Sequence, residues 1–230
     1  MEDLILAFSP PPQSPIEHFQ RVLYVSYKGF TQPENGEWIS ELGDLTCLRC
    51  LPELHAKMLA DDEGAQILHD KPRLRDQQLL FDTLSELPAN TFGHHYFAFM
   101  DKNGFSPTER PLVRQVPDLE QAYVLQRYKE THDFMHVILN LDTSVEQEIA
   151  LKWFEMLQTG MPSCALASLF GPLSLSIMER EALFNDFLPF VMKSAEKCRL
   201  FVSIYFEKYF NMDMDDFRRH LNVVPWRYFN

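Results

Sequence analysis

The amino-acid sequence predicts an all-α fold formed by a single domain, and three observations support that prediction. Apolar residues recur at helical spacing over most of the 230 residues. The sequence contains neither a long alternation of apolar and polar residues nor a hairpin turn between two strand-like runs. Its composition, with 46% hydrophobic residues and 8 Gly, is that of an ordinary globular protein with one sizeable core.

The N-terminal part is predicted to contain one helix between two irregular segments. A Pro-rich segment at residues 9–16 precedes a helix at 16–27, and residues 31–37 (TQPENGE) form a loop. The first arginine is Arg21, so the sequence has neither the pattern of a secretory signal nor that of an Arg-rich transit peptide. We therefore expect that a targeting sequence was either removed or never present.

The middle of the chain is predicted to form further short helices. Residues 51–68 have an amphipathic helical pattern, and residues 70–74 (DKPRL) interrupt it before helix resumes as far as Pro88. Residues 90–100 form a buried segment, and residues 109–116 (ERPLVRQV) form a loop. The breaks are Pro and Gly positions at which helices ordinarily end.

Two longer helices follow, joined by a tight turn. The first is predicted over Leu119–Leu139, the turn over residues 140–144, and the second helix over residues 145–157. Thr143 is the expected N-cap of the second helix, because Glu146 stands three residues after it in capping-box register.

A stretch without any charged residue covers residues 156–178 and is nominally long enough to span a bilayer. Gly and Pro residues interrupt it at 160–162 and again at 171–172. We expect two short buried helices that help to wall an apolar cavity for a lipid tail, and no membrane span.

Charge and cysteine content exclude some partners and chemistries. The formal net charge of −12 argues against nucleic acid as a partner and against electrostatic docking to anionic lipid. Any contact with a membrane surface should therefore be mainly hydrophobic. Of the 4 Cys, Cys47 and Cys50 form a lone CxxC without a second pair at zinc-ribbon spacing, so we expect unremarkable thiols in a reduced, intracellular protein.

The segment HDFMH at residues 132–136 is the candidate metal-binding motif. On a helix, His132, Asp133 and His136 all fall within a wedge of about 100°. Imidazole and carboxylate groups suit Zn²⁺ or another divalent cation such as Mg²⁺. The alternative is two solvated histidines on one helix face, and the motif alone does not decide between them.

The turn after the motif favours the metal site. His136 lies six residues before its midpoint at about residue 142, and Glu148 lies six residues after it. In an antiparallel helical pair, the two side chains therefore lie at equal height. Glu148 also belongs to an apolar helix, where an inward carboxylate needs a partner. We predict that His132, Asp133, His136 and Glu148 converge on a metal ion.

HDFMH, eleven further residues and Glu148 together resemble the HDxxH-x11-E motif of the ubiquinone (coenzyme Q) biosynthesis protein 4 family. Coverage extends over about residues 51–210, so residues 1–50 are a poorly matched N-terminal region before a helical domain at 51–230. Other segments that resemble the family's motifs are GAQILHDKPRL (64–74), LPANTFGHHYFAFM (87–100), the run from RPLVRQV to HDFMH (110–136), and YFEKYF (205–210), which corresponds to its terminal helix.

The resemblance implies an all-α protein with a zinc ion at the four positions named above and a tunnel for a polyprenyl tail. It also implies peripheral attachment to the matrix face of the mitochondrial inner membrane in a eukaryote; in a bacterium, we expect the cytoplasmic face of the membrane. Other ubiquinone-biosynthesis proteins are implied as partners in a complex, and a homodimer is a further expectation. The implied reaction is C1-decarboxylation of a polyprenylated 4-hydroxybenzoate.

Three functions remain open from the sequence. The first is a metal-dependent carboxy-lyase, in which Arg127 and Lys129 help to bind the substrate carboxylate; alternatively, Lys129 simply pairs with Asp133 at i,i+4 spacing. The second is a non-catalytic scaffold that binds prenyl lipids and organises partner enzymes around a structural metal. The third is an HD-type phosphohydrolase, which would require a His such as His94 or His95 and an Asp such as Asp142.

Overall fold

A computed structural model describes residues 14–32, 35–74 and 78–226, and within these residues the chain forms helices and no strand. The all-α prediction is therefore confirmed. The α-helices, in chain order, are α1 (Pro15–Thr31), α2 (Gly36–Thr46), α3 (Leu51–Leu59), α4 (Asp62–Asp70), α5 (Gln78–Thr83), α6 (Phe92–Asn103), α7 (Leu119–Leu139), α8 (Val145–Thr159), α9 (Pro162–Phe170), α10 (Ile177–Ala182), α11 (Leu188–Lys197) and α12 (Met214–His220).

Several predicted boundaries needed correction in the N-terminal half. The Pro-rich segment lies mostly outside the described residues, whereas the first helix extends on both sides of its predicted range and begins with a capping box at Ser14. The loop predicted at 31–37 is shorter, because Asn35 caps α2. The amphipathic stretch 51–68 is two helices, since the Asp61 side chain accepts a hydrogen bond from the Gly64 amide and starts α4 anew.

Helix α7 lies at the centre of the core, and its predicted bounds are confirmed. Nearly every residue from Ala122 to Leu139 is buried, as is typical of a helix enclosed by others on all sides. Asp118 caps its first turn, and Asn140 ends it in the left-handed conformation with φ +60°. The buried polar groups of α7 must therefore find partners on neighbouring segments.

The chain then turns into α8, which runs two residues beyond its predicted end. Ser144, not Thr143, occupies the N-cap position, and its side chain makes no capping hydrogen bond. The predicted capping box is therefore wrong. The Thr143 hydroxyl donates instead to Asn103 at the end of α6, and Ser144 donates to the Glu146 carboxylate.

An aromatic cluster surrounds the middle of α7. Phe134 packs against Phe92 and Phe206 with ring centroids 5.3 Å and 4.7 Å apart. Gly93 allows the backbone at Phe210 to approach α6 closely. Its amide donates to the Phe210 carbonyl, and a Cβ at residue 93 would lie 2.9 Å from that oxygen. Residues 205–210, which the resemblance placed in a terminal helix, form only a short 3₁₀ turn at Phe206–Lys208, and α12 comes later.

The uncharged stretch 156–178 contains the end of α8, then α9 and a 3₁₀ turn at Gly171–Ser174. In the part of the chain that the structure describes, no helix is long and apolar enough to cross a membrane. This stretch contains buried residues and also a set of exposed apolar side chains, which are Leu157, Leu169, Phe170, Leu173, Ile177 and Met178. The stretch therefore has an exposed apolar surface, and its role as a cavity wall stays a prediction.

Candidate metal centre

Three side chains on α7 and α8 meet where the sequence spacing predicts, and we call His132, His136 and Glu148 the ligand trio. The His136 Nε2 atom lies 3.1 Å from Glu148 Oε1, and His132 Nε2 lies 3.8 Å from Glu148 Oε2. One candidate ligand atom from each residue falls within 4.8 Å of the others. The two imidazole rings are nearly perpendicular, with centroids 5.0 Å apart.

Both imidazoles are held from behind by hydrogen-bond acceptors. His132 Nδ1 lies 2.6 Å from Glu155 Oε1, and His136 Nδ1 lies 3.3 Å from the Leu141 carbonyl oxygen. A carboxylate and a carbonyl only accept, so each Nδ1 carries the proton and each Nε2 of a neutral ring keeps its lone pair. Metal-binding histidines ordinarily show this arrangement. The Nε2 atoms of both rings are therefore oriented as ligands.

The residues fit a divalent cation. Two atoms bound to one zinc ion at about 2.0–2.1 Å and at tetrahedral angles lie about 3.3 Å apart. The distance from His136 Nε2 to Glu148 Oε1 is 3.1 Å, and that from His132 Nε2 to Glu148 Oε2 is 3.8 Å, so the two lie on either side of that value. Two imidazoles and one carboxylate are a donor set found at catalytic zinc sites, where a fourth position remains open.

Electrostatics keep the Glu148 carboxylate ionised. Burial by itself raises the pKa of Glu148, but the hydrogen bond and charge of His136 lower the pKa to about 2. For His136, burial lowers the pKa and the bond to Glu148 raises it, with a net rise. For His132, burial and the neighbouring Lys152 charge lower the pKa. The trio therefore combines an anionic oxygen with a neutral imidazole at His132.

Glu155 is a member of the site that sequence reasoning missed. Its side chain is fully buried, and it also accepts a 2.6 Å hydrogen bond from Lys152 Nζ. Burial raises the pKa of Glu155, but the Lys152 charge and the interaction with His132 lower it further than burial raises it. The sequence contains a signal for Glu155: charged residues recur at i, i+4 and i+7 on one face of an apolar helix, at Glu148, Lys152 and Glu155.

The sequence model of the family described as coenzyme Q (ubiquinone) biosynthesis protein Coq4 matches residues 11–226. The chain belongs to the Coq4 family. The match includes most of the N-terminal region in which no family motif is recognised by inspection. The resemblance inferred from the motifs of the middle region is therefore confirmed.

Named relatives agree with this family, and a solved structure shares the fold. A Paramecium tetraurelia protein, "Ubiquinone biosynthesis protein COQ4 homolog 2, mitochondrial", is 43% identical over 190 residues, 83% of this chain and 90% of its own. The mitochondrial COQ4 protein of Schizosaccharomyces japonicus is 36% identical and covers 92% and 89% of the two chains. A crystal structure of a Nostoc punctiforme protein, named as a candidate ubiquinone biosynthesis protein, has a TM-score of 0.70 at 18% identity over 89% of this chain and 95% of its own. That likeness shows a shared fold.

Asp133, which the Coq4 motif includes, lies outside the ligand trio. Its carboxylate is buried and accepts a hydrogen bond from the guanidinium of Arg110, which follows the 3₁₀ turn at Pro107–Glu109. Three of the four side chains that were predicted to converge therefore meet, and Asp133 pairs with Arg110 instead. Arg110 is a second residue that sequence reasoning missed, because it lies 23 positions before its partner in a stretch predicted as loop.

The two cations that were expected to bind the substrate carboxylate have other partners. Arg127 donates to both oxygens of Glu207 at 2.5 Å and 2.9 Å and is fully buried. Lys129 donates to Asp44 at 2.6 Å and to Ser40 at 2.7 Å, so it does not pair with Asp133. Neither contacts the trio, and their role in substrate binding stays a prediction.

The HD-type alternative gains no support from the geometry. Neither His94, His95 nor Asp142 is among the residues that could hold a metal with His132 in the described part of the chain. Asp142 pairs with Lys102 at the surface instead. The thiols of the CxxC are free, and burial raises the pKa of both Cys47 and Cys50, as expected for unreactive cysteines.

Proposed function

We propose that this protein catalyses the metal-dependent C1-decarboxylation of a polyprenylated 4-hydroxybenzoate in ubiquinone biosynthesis. The observation that supports this best is the donor count of the site. The ligand trio supplies three protein donors while Arg110 holds Asp133 aside, which leaves a coordination position for substrate. A structural metal in a non-catalytic scaffold would be expected to have four protein ligands.

The reaction requires that the bond between the ring and the carboxyl carbon break. The carboxyl carbon leaves as carbon dioxide, the electron pair of the broken bond stays on the ring carbon, and a proton takes the place of the lost group. A divalent cation held by the trio would supply a positive charge that stabilises the negative charge developing on the substrate. Zn²⁺ suits these donors, and Mg²⁺ is the alternative.

The residues of the chain fix the geometry for this step. Glu155 and the Leu141 carbonyl orient the imidazoles, and the Phe99 ring stacks on His136 with centroids 5.4 Å apart and covers that face of the imidazole. The side chain of Glu148 is 35% exposed, whereas that of His136 is 1% exposed. The substrate ring would therefore approach from the Glu148 side.

A membrane location fits the surface of the protein. The relatives named above are called mitochondrial, and we propose peripheral attachment to the matrix face of the mitochondrial inner membrane, together with other ubiquinone-biosynthesis proteins. The exposed apolar side chains between the end of α9 and the start of α10, among them Leu173 and Ile177, would insert between lipids. Such contact needs no basic surface, which agrees with the net charge of −12.

Purified protein loaded with Zn²⁺ or Mg²⁺ tests the activity directly. With a prenylated 4-hydroxybenzoate in detergent or vesicles, carbon dioxide and the corresponding phenol should appear in equal amounts. His136→Ala should lose both metal and turnover, and Glu148→Ala should lose turnover while it still binds the lipid. His220→Ala, at an exposed histidine near Tyr209, is the matched control. Tight lipid binding without carbon dioxide release under any metal would favour the scaffold.

A further inference from the structure

Arg110 differs from Arg127, because only part of its guanidinium makes hydrogen bonds. Its side chain is 30% exposed, while that of its partner Asp133 is 3% exposed. Among the described residues, the hydrogen bonds of Arg110 are confined to Asp133 Oδ1. A guanidinium has five N–H donors in a planar fork, so donors remain for a ligand on the exposed side.

The segment that contains Arg110 packs next to the ligand trio. At its start, the Phe105 ring lies against Phe99 with centroids 6.4 Å apart, and Phe99 stacks on His136. At its end, Arg110 reaches the residue directly after His132. Burial lowers the pKa of Arg110, but the charge of Asp133 and, more weakly, that of Glu148 raise it. The partly exposed Glu148 carboxylate of the trio therefore contributes to the electrostatic environment of the guanidinium.

A second polar group without a partner among the described residues belongs to Tyr96, whose ring packs on Phe134, the residue after Asp133, with centroids 4.5 Å apart. The Tyr96 hydroxyl is buried and has no hydrogen bond within the part of the chain that the structure describes, although the residue is only 2% exposed. Burial raises the pKa of Tyr96, and the charge of Asp133 raises it further, so the hydroxyl stays protonated and can donate. A buried hydroxyl without a partner is uncommon in native proteins and points to a ligand.

The other cation near the trio is committed elsewhere. Lys152 donates to the buried Glu155 carboxylate, which in turn holds His132. A substrate carboxylate that took Lys152 would strip Glu155 of its counter-charge. Arg110 can donate hydrogen bonds to a second carboxylate while it still binds Asp133, because a guanidinium has separate donor edges.

We propose that Arg110, assisted by the Tyr96 hydroxyl, binds the carboxylate of the aromatic substrate beside the metal site. This inference rests on the proposed function for the identity of the ligand. It makes Arg110 the residue that selects the acid over its decarboxylated product, because the product phenol lacks the group that the guanidinium binds. Loss of the carboxylate then weakens binding at this position and favours release.

The test measures binding, so it does not depend on turnover. Dissociation constants of the metal-loaded full chain are determined for a short-chain prenylated 4-hydroxybenzoate and for the matching prenylated phenol. Wild type should prefer the acid by about 10- to 100-fold, the worth of one charge-assisted hydrogen-bonded pair. Arg110→Gln should abolish the preference by weakening acid binding alone, Arg110→Lys should keep part of it, and Tyr96→Phe should reduce it.

Arg199→Gln is the matched control, because Arg199 is also 30% exposed and also pairs with carboxylates, at Asp61 and Glu63. Its acid preference should equal that of wild type. Metal content is measured for every variant. If Arg110→Gln loses the metal, or weakens acid and phenol binding equally, Arg110 only supports the site and the proposal is wrong.

The Asp133→Asn background separates recognition of the substrate by Arg110 from neutralisation of the Asp133 charge by Arg110. If Arg110 is only the counter-charge of Asp133, Arg110→Gln should leave the acid preference unchanged in that background, and the proposal fails. If Arg110 binds substrate, the preference should still be lost. Absence of carbon dioxide release by wild type would refute the proposed function while leaving this binding result interpretable.

Discussion

Glu155→Gln is the most informative single change at the site, because it keeps the shape of the side chain and removes its charge. In the wild type, His132 Nδ1 lies 2.6 Å from the Glu155 carboxylate. In the variant, the amide oxygen can still accept a hydrogen bond from His132 Nδ1. The counter-charge for Lys152 is lost, and the imidazole is polarised less. Outer partners of metal-binding histidines typically contribute about 10- to 100-fold to metal affinity, so we expect a loss in that range, or about 1.4–2.8 kcal/mol.

The same change should lower the free energy of unfolding of the metal-free protein. Breaking a buried ion pair by removing one partner costs about 3–5 kcal/mol when the other charge stays fully buried. The Lys152 side chain is 20% exposed, so its ammonium can gain some hydration. We therefore expect a loss at or below the lower end of that range.

Metal affinity is measured by competition with a chelator, and unfolding by denaturant titration. Glu130→Gln is the matched control, since Glu130 is buried on α7 and pairs with Arg73 at 2.8 Å without contacting the trio. It should lower the free energy of unfolding by at least as much, because the Arg73 side chain is only 4% exposed, and it should leave metal affinity within about twofold, because neither Glu130 nor Arg73 belongs to the trio. Equal metal affinities of wild type and Glu155→Gln would refute the positioning role of Glu155.

Three further changes test the fold. Gly64→Ala should destabilise by at least about 1–3 kcal/mol in denaturant titration, because a Cβ there would lie 2.3 Å from the Met58 carbonyl oxygen and backbone must move; an unchanged midpoint would contradict this. Arg218→Met should cost about 2–4 kcal/mol, since the guanidinium donates to two carbonyls in the last turn of α7 and would leave them buried without a charged donor; circular dichroism melts would detect the loss. The pKa of Glu148 is lowered to about 2, so its ionised form stabilises the metal-free fold above its unfolded pKa of about 4.5. That stability should be lost as pH falls from about 4.5 towards about 2, and Glu148→Gln should show a flatter acid profile in the same melts.

Local signals explain which elements could be predicted from the sequence. Helix α7 could be predicted from end to end because apolar residues keep helical spacing from Leu119 to Leu139 and a turn follows at residues 140–144. The meeting of His136 and Glu148 followed from helix periodicity and the position of the turn. The predicted capping box was wrong because the Thr143 hydroxyl bonds a tertiary partner, Asn103 on α6, which no local sequence pattern reveals.

Tertiary partners explain what the sequence could not predict. By helix geometry, Arg127 lies about 140° round α7 from His132, so closeness in sequence did not bring it to the site. Lys129 lies on a nearer face, yet it pairs with Asp44, 85 positions earlier. On a helix enclosed on all sides, the neighbouring segment decides each pairing, and periodicity alone does not identify that segment.

All three donors of the site and both groups that orient the imidazoles lie between residues 132 and 155. The candidate metal centre therefore lies within one helical hairpin, which is why spacing alone could predict that its three side chains meet. Access and selectivity have a different origin. Phe99, Arg110 and Tyr96 come from segments outside the hairpin: Phe99 covers one imidazole, and Arg110 and Tyr96 are the donors that we propose for the substrate carboxylate. A hairpin with these three candidate ligands could serve many reactions, whereas the proposed role of the partly free Arg110 guanidinium would favour an anionic substrate. The choice between lyase and scaffold should therefore depend on the residues around the hairpin, and variants at Arg110 and Tyr96 are more discriminating than further changes at the metal ligands.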